Sequence, residues 1–295
     1  MFEKIIGNEP IKEMLKKSIE KEMASHSYLF VGIPGIGKKM LATEFAKKIL
    51  CMEKEQNGTC KSCIEFESNN HPDFICIEPD GNSIKIEQIR YLQKKIQEKP
   101  IISNKKVYII NDADAMTSEA QNCLLKTLEE PPEFAIIILI GSNENAFLST
   151  IKSRCMIFHF QPIEAEKMKQ YMEENYGITN MTQSHLAMFQ GSIGKAILLK
   201  DKQEEYDKIE NMIMYLNKKD LIEILQLAEP LYKAKEEIFE ILEYINIVLL
   251  NQAKENYLYT NCIKIVENTK KRLKQNANYD MCIDNMVFNM WEEVN

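Results

Sequence analysis

No apolar run in this sequence approaches the roughly 20 residues that a membrane-spanning helix requires, and residues 1–6 carry no signal-peptide core. The sequence therefore predicts a protein of the cytoplasm with no membrane as a partner. Basic residues are not in excess either, since the formal net charge is −7. That balance argues against a chain that grips nucleic acid by its overall charge, although it leaves room for a local basic patch.

Disulfide bonds are not expected, although eight cysteines are present. Spread over 295 residues without a secretory signal, they are typical of reduced thiols in a cytoplasm. The sequence shows no low-complexity linker and no internal repeat, and its hydrophobic content of 45% is ordinary for a globular protein. A chain of this length is sufficient for two or three domains, each with a core of its own.

The first half of the chain alternates short apolar runs with helical patterns. The runs predict strands at residues 28–31, 74–77, 107–110, 135–140 and 156–160. The fourth run is continuously apolar, as is expected at the centre of a parallel sheet that is covered on both faces. Strands that alternate with helices predict a doubly wound α/β domain. After Pro162 the strand signals stop, and the remaining chain is predicted to be helical.

A glycine-rich turn, Gly-Ile-Pro-Gly-Ile-Gly-Lys-Lys at residues 32–39, lies between the first predicted strand and the next helix. This order is typical of a phosphate-binding P-loop. Gly32, Gly35 and Gly37 let backbone N–H groups converge on an anion, and Lys38 reaches the distal phosphates. The next position normally holds a Ser or Thr hydroxyl that ligates Mg²⁺, whereas here it is Lys39. The loop is therefore predicted to hold ATP or ADP but to be poorly equipped to hydrolyse it.

The strand at residues 107–110 is followed by Asn111 and Asp112. In ATP-hydrolysing P-loop proteins this place supplies an Asp that holds Mg²⁺, often followed by a Glu that polarises the attacking water. Here Asn111 takes the place of the Asp and Asp112 that of the Glu, and an uncharged amide is a weak ligand for a hard cation. Together with Lys39, this departure removes both protein groups that would position the metal.

Arg154 stands in a Ser-Arg-Cys triplet just before the last predicted strand. An arginine at a sheet edge could project from its own subunit and neutralise the γ-phosphate charge of a nucleotide in a neighbouring one, as an arginine finger. A lone arginine is more often a solvated or salt-bridged surface group. Spacing alone leaves both interpretations open.

Taken together, these motifs resemble those of the bacterial DNA polymerase III clamp-loader subunits, which belong to the AAA+ superfamily. The ordered set is Ile-Gly-Asn-Glu at 6–9, His-Ser-Tyr-Leu-Phe at 26–30, the P-loop, His-Pro-Asp at 71–73, Ala-Gln-Asn-Cys-Leu-Leu-Lys-Thr-Leu-Glu-Glu-Pro-Pro at 120–132 and Ser-Arg-Cys at 153–155. The resemblance continues through Gly-Ser-Ile-Gly-Lys-Ala at 191–196. It implies a nucleotide-binding-like α/β domain at 1–162 with a Cys-containing excursion at 51–70, a small helical lid domain at 163–203, and a helical collar domain for oligomerisation at 204–295.

Within that family the sequence is most similar to the delta-prime type of subunit, which generally does not hydrolyse ATP. The resemblance implies that the chain is part of the DNA polymerase III holoenzyme and helps to load the sliding clamp onto primed DNA. It would do so in a pentameric ring with tau/gamma and delta subunits. Arg154 would serve the ATP site of an adjacent tau/gamma subunit. The family's sensor-1 position falls on Ser142 and its sensor-2 arginine on Gly194, with Lys195 one place later. The departures at positions 39, 111 and 194 favour this type over the alternative, a catalytically active AAA+ ATPase such as the tau/gamma motor.

Clamp-loader subunits of this kind also resemble one another in four cysteines that bind a structural zinc ion. Three of the four are matched here by Cys51, Cys60 and Cys63. Alignment from the His-Pro-Asp motif puts the missing ligand near Asn57, and alignment from Cys51 puts it near Phe66. His71 or a water could complete the shell, although structural zinc sites are almost always closed by four protein ligands. Bound zinc and an excursion that has lost its metal both stay open.

Overall fold

The computed structural model describes residues 2–3, 5–53 and 59–295, which separate into two compact units. One unit contains residues 1–167 together with 192–194, and the other contains 168–191 and 195–295. The further division of the chain into nucleotide-binding, lid and collar domains stays a prediction. Every helix among the described residues is too short or too polar to traverse a lipid bilayer.

The first unit is built on a five-stranded sheet of order β2-β3-β4-β1-β5, in which all neighbouring strands are parallel. Its strands are β1 (Ser27–Val31), β2 (Phe74–Ile77), β3 (Lys106–Ile110), β4 (Ala135–Gly141) and β5 (Met156–His159). Strand β4 lies in the middle, and all seven of its residues are buried. Its continuous apolar sequence follows from that place, because helices cover both faces of such a sheet. The predicted parallel sheet is confirmed.

The helices of this unit alternate with the strands. They are α1 (Glu9–Glu20), α2 (Lys38–Leu50), α3 (Lys61–Glu67), α4 (Ile86–Ile96), α5 (Ser118–Glu129) and α6 (Ser149–Lys152), with 3₁₀ turns at Ala113–Ala115 and Glu144–Ala146. Helix α5 begins where the Thr117 hydroxyl accepts the Ala120 N–H, and it ends just before two prolines. Helix α3 lies inside the excursion at 51–70 and was not predicted from the sequence.

The His-Pro-Asp motif anchors the loop that enters β3. The Asp73 side chain is 1% exposed, and its carboxylate accepts the backbone N–H groups of Ile101 (2.8 Å), Ile102 (2.8 Å) and Ser103 (2.9 Å). The Asp73 N–H in turn donates to Nδ1 of His71 at 3.0 Å. Charge-assisted hydrogen bonds of this kind are among the stronger ones in proteins, so the motif holds the start of β3 in place.

The chain after Pro162 is helical throughout, and no strand follows β5 among the described residues. The helices are α7 (Ala165–Tyr176), α8 (Gln183–Phe189), α9 (Ile193–Leu199), α10 (Gln203–Met214), α11 (Leu221–Leu227), α12 (Glu229–Lys233), α13 (Ile238–Gln252), α14 (Tyr259–Lys274) and α15 (Tyr279–Val294), with a 3₁₀ turn at Lys200–Lys202. Helix α13 is the most apolar of them and packs on α8, α10 and α14. It forms the core of the second unit.

A buried polar cluster joins α8, α10 and α13 in the second unit. The Glu210 carboxylate accepts hydroxyl hydrogen bonds from Thr182 and Tyr244, each at 2.9 Å. His185 is 4% exposed, and its Nδ1 accepts the Thr182 N–H at 3.3 Å. The proton of the neutral imidazole is therefore on Nε2, which faces Asp207 Oδ1 at 3.8 Å. Burial lowers the pKa of His185, although Glu210 and Asp207 act in the opposite direction.

Candidate functional site

The P-loop connects the carboxyl end of β1 to the first turn of α2. Gly37 caps the helix at φ +98°, a left-handed conformation that side chains rarely adopt. Lys38 turns back onto the loop itself, because its Nζ donates to the carbonyl oxygens of Gly32 (2.5 Å) and Ile33 (2.9 Å). The Oγ of Ser142, the predicted sensor-1 residue, lies 3.5 Å from the same Nζ. The structure therefore brings the predicted lysine and the predicted sensor together.

An acidic residue that the sequence analysis did not assign holds this arrangement in place. Asp114 Oδ2 accepts the N–H groups of Ser142 and Asn143, each at 2.9 Å, which fixes the end of β4 beside Lys38. Burial lowers the pKa of Lys38, whereas the charges of Asp114 and Asp112 act to raise it. The two carboxylates are thus part of the charge balance around the buried Lys38 ammonium.

Lys39 is joined to the ends of β2 and β3 by a charged network. Its Nζ lies 2.6 Å from Glu78 Oε1, and Asn111 Nδ2 donates to Glu78 Oε2 at 2.9 Å and to Asp112 Oδ2 at 3.0 Å. The hydrogen bond to Glu78 raises the pKa of Lys39. Burial alone would raise the pKa of Glu78, but the donors Lys39 and Asn111 outweigh it, and the pKa is lowered. We call Lys39, Glu78, Asn111 and Asp112 the Lys39 network.

Glu78 was missed by the sequence analysis. A carboxylate directly after a strand that ends at the same sheet edge as the P-loop was the available signal. Its contact with Lys39 spans 39 residues of sequence, and only the order of strands in the sheet brings the two together.

Gly194 lies directly against the P-loop, main chain to main chain. Its N–H donates to the Gly35 oxygen at 2.9 Å, and Ser192 Oγ donates to the Pro34 oxygen at 2.8 Å. A Cβ atom on Gly194 would stand 2.7 Å from Gly35 Cα and 3.0 Å from the Gly35 oxygen. No side chain, an arginine included, fits at this predicted sensor-2 position while the contact is kept. Lys195, one place later, belongs to the second unit.

Arg154 lies between α6 and β5 and is held by groups of its own unit. Its Nη2 donates to Glu129 Oε1 at 2.7 Å, and its Nη1 donates to the Thr150 oxygen at 3.0 Å and to Ser153 Oγ at 3.3 Å. The side chain remains 33% exposed. The guanidinium is thus oriented at the surface by the last residue of α5.

Arg154 and the P-loop lie at opposite ends of the sheet. Strand β5 runs parallel to β1, with Met156 beside Tyr28 and His159 beside Val31. Arg154 precedes the amino end of β5, whereas the P-loop follows the carboxyl end of β1. At a rise of about 3.3 Å per residue, the two are separated by roughly 15 Å or more along the strands. Arg154 therefore cannot serve the P-loop of its own chain.

Three cysteines meet beside α3. The sulfur atoms of Cys51, Cys60 and Cys63 all lie within 4.8 Å of one another, and Cys51 Sγ is 3.8 Å from Cys60 Sγ. Burial and the two neighbouring thiols raise the pKa of Cys63 to about 12. Burial acts in the same direction on Cys60, but N–H groups of Met52 and Cys63 outweigh it, and the pKa of Cys60 is lowered. Three converging sulfur ligands suit a thiophilic metal ion such as zinc.

The fourth position of such a site has no ligand among the described residues. His71 does not join the cluster, because its Nε2 lies 2.9 Å from Ser62 Oγ and its Nδ1 accepts the Asp73 N–H. Phe66 is apolar, and its ring packs 4.7 Å from that of Phe74. The other predicted place, Asn57, falls outside the described residues. The cluster therefore supplies three of the four ligands that a structural zinc site requires.

A family model described as DNA polymerase III, delta subunit, matches residues 7–164 of this chain. The chain belongs to this family. It is 38% identical to the delta-prime subunit of DNA polymerase III from Bacillus subtilis over 196 residues, which cover 66% of this chain and 59% of the relative. It is 31% identical to the tau/gamma subunit from Haemophilus influenzae over 240 residues, which cover 76% of this chain and 35% of that one. The chain thus spans less than two thirds of the length of these relatives.

Among solved structures, a DNA polymerase III gamma-subunit-related protein from Thermotoga maritima superposes with a TM-score of 0.50 at 19% identity, covering 96% of this chain and 99% of that one. This similarity concerns the fold alone. It agrees with the predicted fold class of an α/β domain with a parallel sheet followed by helical regions, which is confirmed. The predicted resemblance to clamp-loader subunits is confirmed as well.

In this member of the DNA polymerase III delta-subunit family, the P-loop keeps the shape and the lysine of a phosphate cradle. The three positions at which the sequence resemblance predicts a metal ligand or a sensing cation hold Lys39, Asn111 and Gly194 instead. A nucleotide phosphate can be bound by such a loop, since backbone N–H groups and Lys38 suffice for that. Among the described residues, Lys39 and Asn111 give Mg²⁺ no equivalent support, although Asp112 keeps a carboxylate at the position predicted to polarise the attacking water.

Proposed function

We propose that this chain is a non-hydrolysing subunit of the DNA polymerase III clamp loader, of the delta-prime type, which helps to load the sliding clamp onto primed DNA. It would act in the cytoplasm, in a pentameric ring with tau/gamma and delta subunits. Membership of the family supports this role. The replacement of metal-positioning groups by the Lys39 network and the close contact of Gly194 support the absence of hydrolysis.

The observation that carries the proposal is the place of Arg154. A cation that stands at the far end of the sheet from its own P-loop can neutralise phosphate charge only on another subunit. Subunits arranged head to tail around a ring bring one end of a sheet against the nucleotide edge of the next. Arg154 then acts as the arginine finger of an adjacent tau/gamma subunit, and its ion pair with Glu129 holds it in place at the surface.

The test is to mix the chain with tau/gamma and delta subunits and to measure complex formation, ATPase and clamp loading together. Arg154→Ala is expected to leave assembly intact while turnover at the one site that it serves falls roughly 10³-fold. The matched control is Arg90→Ala, because Arg90 is an exposed arginine on α4 of the same unit. Unchanged ATPase and loading with Arg154→Ala would remove the finger role.

The second candidate, an active AAA+ ATPase of the tau/gamma type, is favoured by the intact Gly-Lys core of the P-loop and by the similarity to tau/gamma subunits. It predicts Mg²⁺-dependent ATP turnover by the purified chain alone. Our proposal predicts none above background. Turnover that disappears in Lys38→Ala but persists in Arg154→Ala would establish the active ATPase instead.

The cysteine cluster is proposed to hold zinc through Cys51, Cys60 and Cys63, with a water or a residue beyond the described ones in the fourth position. Such an ion would fix the start of α3 without any part in the chemistry at the P-loop. Metal analysis of protein purified without added zinc should give one equivalent, and Co²⁺ substitution should give the absorption of a thiolate-rich tetrahedral site. An excursion that has lost its metal gives neither signal.

A further inference from the structure

The Lys39 network places a side-chain cation where P-loop ATPases place a metal ion. In those proteins Mg²⁺ joins the residue after the P-loop lysine to an acidic group at the end of a neighbouring strand and to the nucleotide phosphates. Here the Lys39 ammonium joins the first turn of α2 to Glu78 at the end of β2, at 2.6 Å. Asn111, at the end of β3, is tied into the same group through Glu78.

A metal ion would be bound only weakly beside Lys39. The Glu78 carboxylate, an anionic group that could otherwise serve a metal here, already accepts hydrogen bonds from both Lys39 and Asn111. An ammonium within a few ångströms also repels a divalent ion, since like charges at such distances destabilise each other. The P-loop therefore disfavours a nucleotide that arrives with Mg²⁺ on its phosphates.

The ammonium itself is suited to a phosphate. Lys39 is 55% exposed, and an ammonium carries three N–H donors, of which the pair with Glu78 occupies one. Phosphate oxygens accept charge-assisted hydrogen bonds from lysine as they do from a metal-bound water. Lys39 adds a second ammonium to that of Lys38 at the loop. Glu78, Asp112 and Asp114 offset part of this positive charge. The N–H donors of Lys39, more than its net charge, therefore suit a phosphate that carries no metal.

We propose that this P-loop selects nucleoside di- and triphosphates in their metal-free form, with the Lys39 ammonium in the charge-neutralising place of Mg²⁺. The inference rests on the prediction that the P-loop holds ATP or ADP. It goes further in naming the form of the ligand, which is the free rather than the Mg²⁺-bound nucleotide. It also names Lys39 as the residue that selects this form.

Calorimetric titration of the full chain with ATP and with ADP, in EDTA and in excess Mg²⁺ at equal ionic strength, tests this. ATP is expected to bind at least tenfold more tightly in EDTA, because excess Mg²⁺ removes the free form from solution. Equal affinity in the two conditions, tighter binding with Mg²⁺, or no binding in either condition would overturn the proposal.

Three variants assign the effect to the Lys39 network. Lys39→Met should lose about 10- to 100-fold in affinity for ATP in EDTA, as expected when a charged hydrogen bond is removed. Lys48→Met, on the same helix but at its other end, should leave the affinity unchanged. Glu78→Gln frees Lys39 from its carboxylate and should bind ATP several-fold more tightly in EDTA, a gain that misfolding cannot produce. Loss of affinity in Glu78→Gln would contradict the assignment.

The outcome is separable from that of the proposed function. Nucleotide binding is measured on this chain alone, whereas the finger role is measured as the ATPase of the mixed complex with Arg154→Ala. A chain that binds no nucleotide can still serve its neighbour through Arg154. A chain that binds free ATP can also fail to stimulate that neighbour.

Discussion

Replacement of Gly194 by alanine has two effects on the stability of this contact, and they are of opposite sign. Gly194 lies in the first turn of α9, and alanine in a helix is favoured over glycine by about 1 kcal/mol. Against this, the new Cβ would stand 2.7 Å from Gly35 Cα, whereas ordinary contact begins at 3.4 Å, so the two backbones must separate by about 0.7 Å. Both sides of the contact are main chain, and no side-chain rotation can relieve it.

The separation has a cost that can be estimated from the contacts. Overpacking of this kind costs about 1–3 kcal/mol. Moving residues 192–194 away also weakens the Gly194–Gly35 and Ser192–Pro34 hydrogen bonds, each worth about 1 kcal/mol. The loss exceeds the gain in helix propensity, so Gly194→Ala should lower the free energy of local opening at the P-loop by about 1–3 kcal/mol.

Hydrogen exchange read by mass spectrometry is the appropriate measurement, because a chain of two units does not unfold in a single step. Peptides that cover residues 32–39 should exchange about 5- to 150-fold faster in Gly194→Ala, while peptides from β4 remain unchanged. Lys195→Ala is the matched control, since it alters the next residue of the helix and adds no Cβ. Equal or slower exchange at residues 32–39 in Gly194→Ala would refute the packing argument.

Three further outcomes follow from contacts described above. Asp73→Asn should destabilise the first unit by about 2–4 kcal/mol in urea unfolding, because an amide cannot accept from all three N–H donors, while exposed Asp80→Asn changes little. The free energy of unfolding of the second unit should fall as the pH drops below about 6.5, the pKa of an unperturbed histidine. The pKa of His185 is lowered in the folded chain, so the unfolded chain binds the proton at a higher pH. His185→Gln should flatten that pH dependence. Glu129→Gln should reduce the ATPase of the mixed complex less than about fivefold, far less than Arg154→Ala, because a part-exposed ion pair is worth about 1 kcal/mol or less.

The strands of the sheet were predictable because the sequence pattern that indicates each strand lies within that strand and its immediate neighbours. The buried run of β4 and the order of strand, glycine-rich turn and helix around Lys38 need no information from distant residues. Helix α3 was missed for a related reason. It is seven residues long, and its N-cap is the thiol of Cys60, which is not among the usual capping groups.

The contacts that define the candidate site could not be predicted, because each joins residues far apart in sequence. The sequence marked Lys39 and Asn111 as poor metal ligands, but their common partner Glu78 depends on strand order. It marked Gly194 as a missing charge, whereas the structure gives a steric reason, the main-chain contact with Gly35. Likewise, the opposite-end placement of Arg154 follows only from the parallel pairing of β5 with β1.

Lys38 carries an ammonium group on a side chain that is only 6% exposed. A buried ammonium without partners costs several kcal/mol, and in many nucleotide-binding proteins the ligand itself relieves that cost. Here the carbonyl oxygens of Gly32 and Ile33 already do so from within the loop. A nucleotide phosphate that takes up the Lys38 ammonium must therefore compete with two main-chain carbonyl oxygens for its N–H donors.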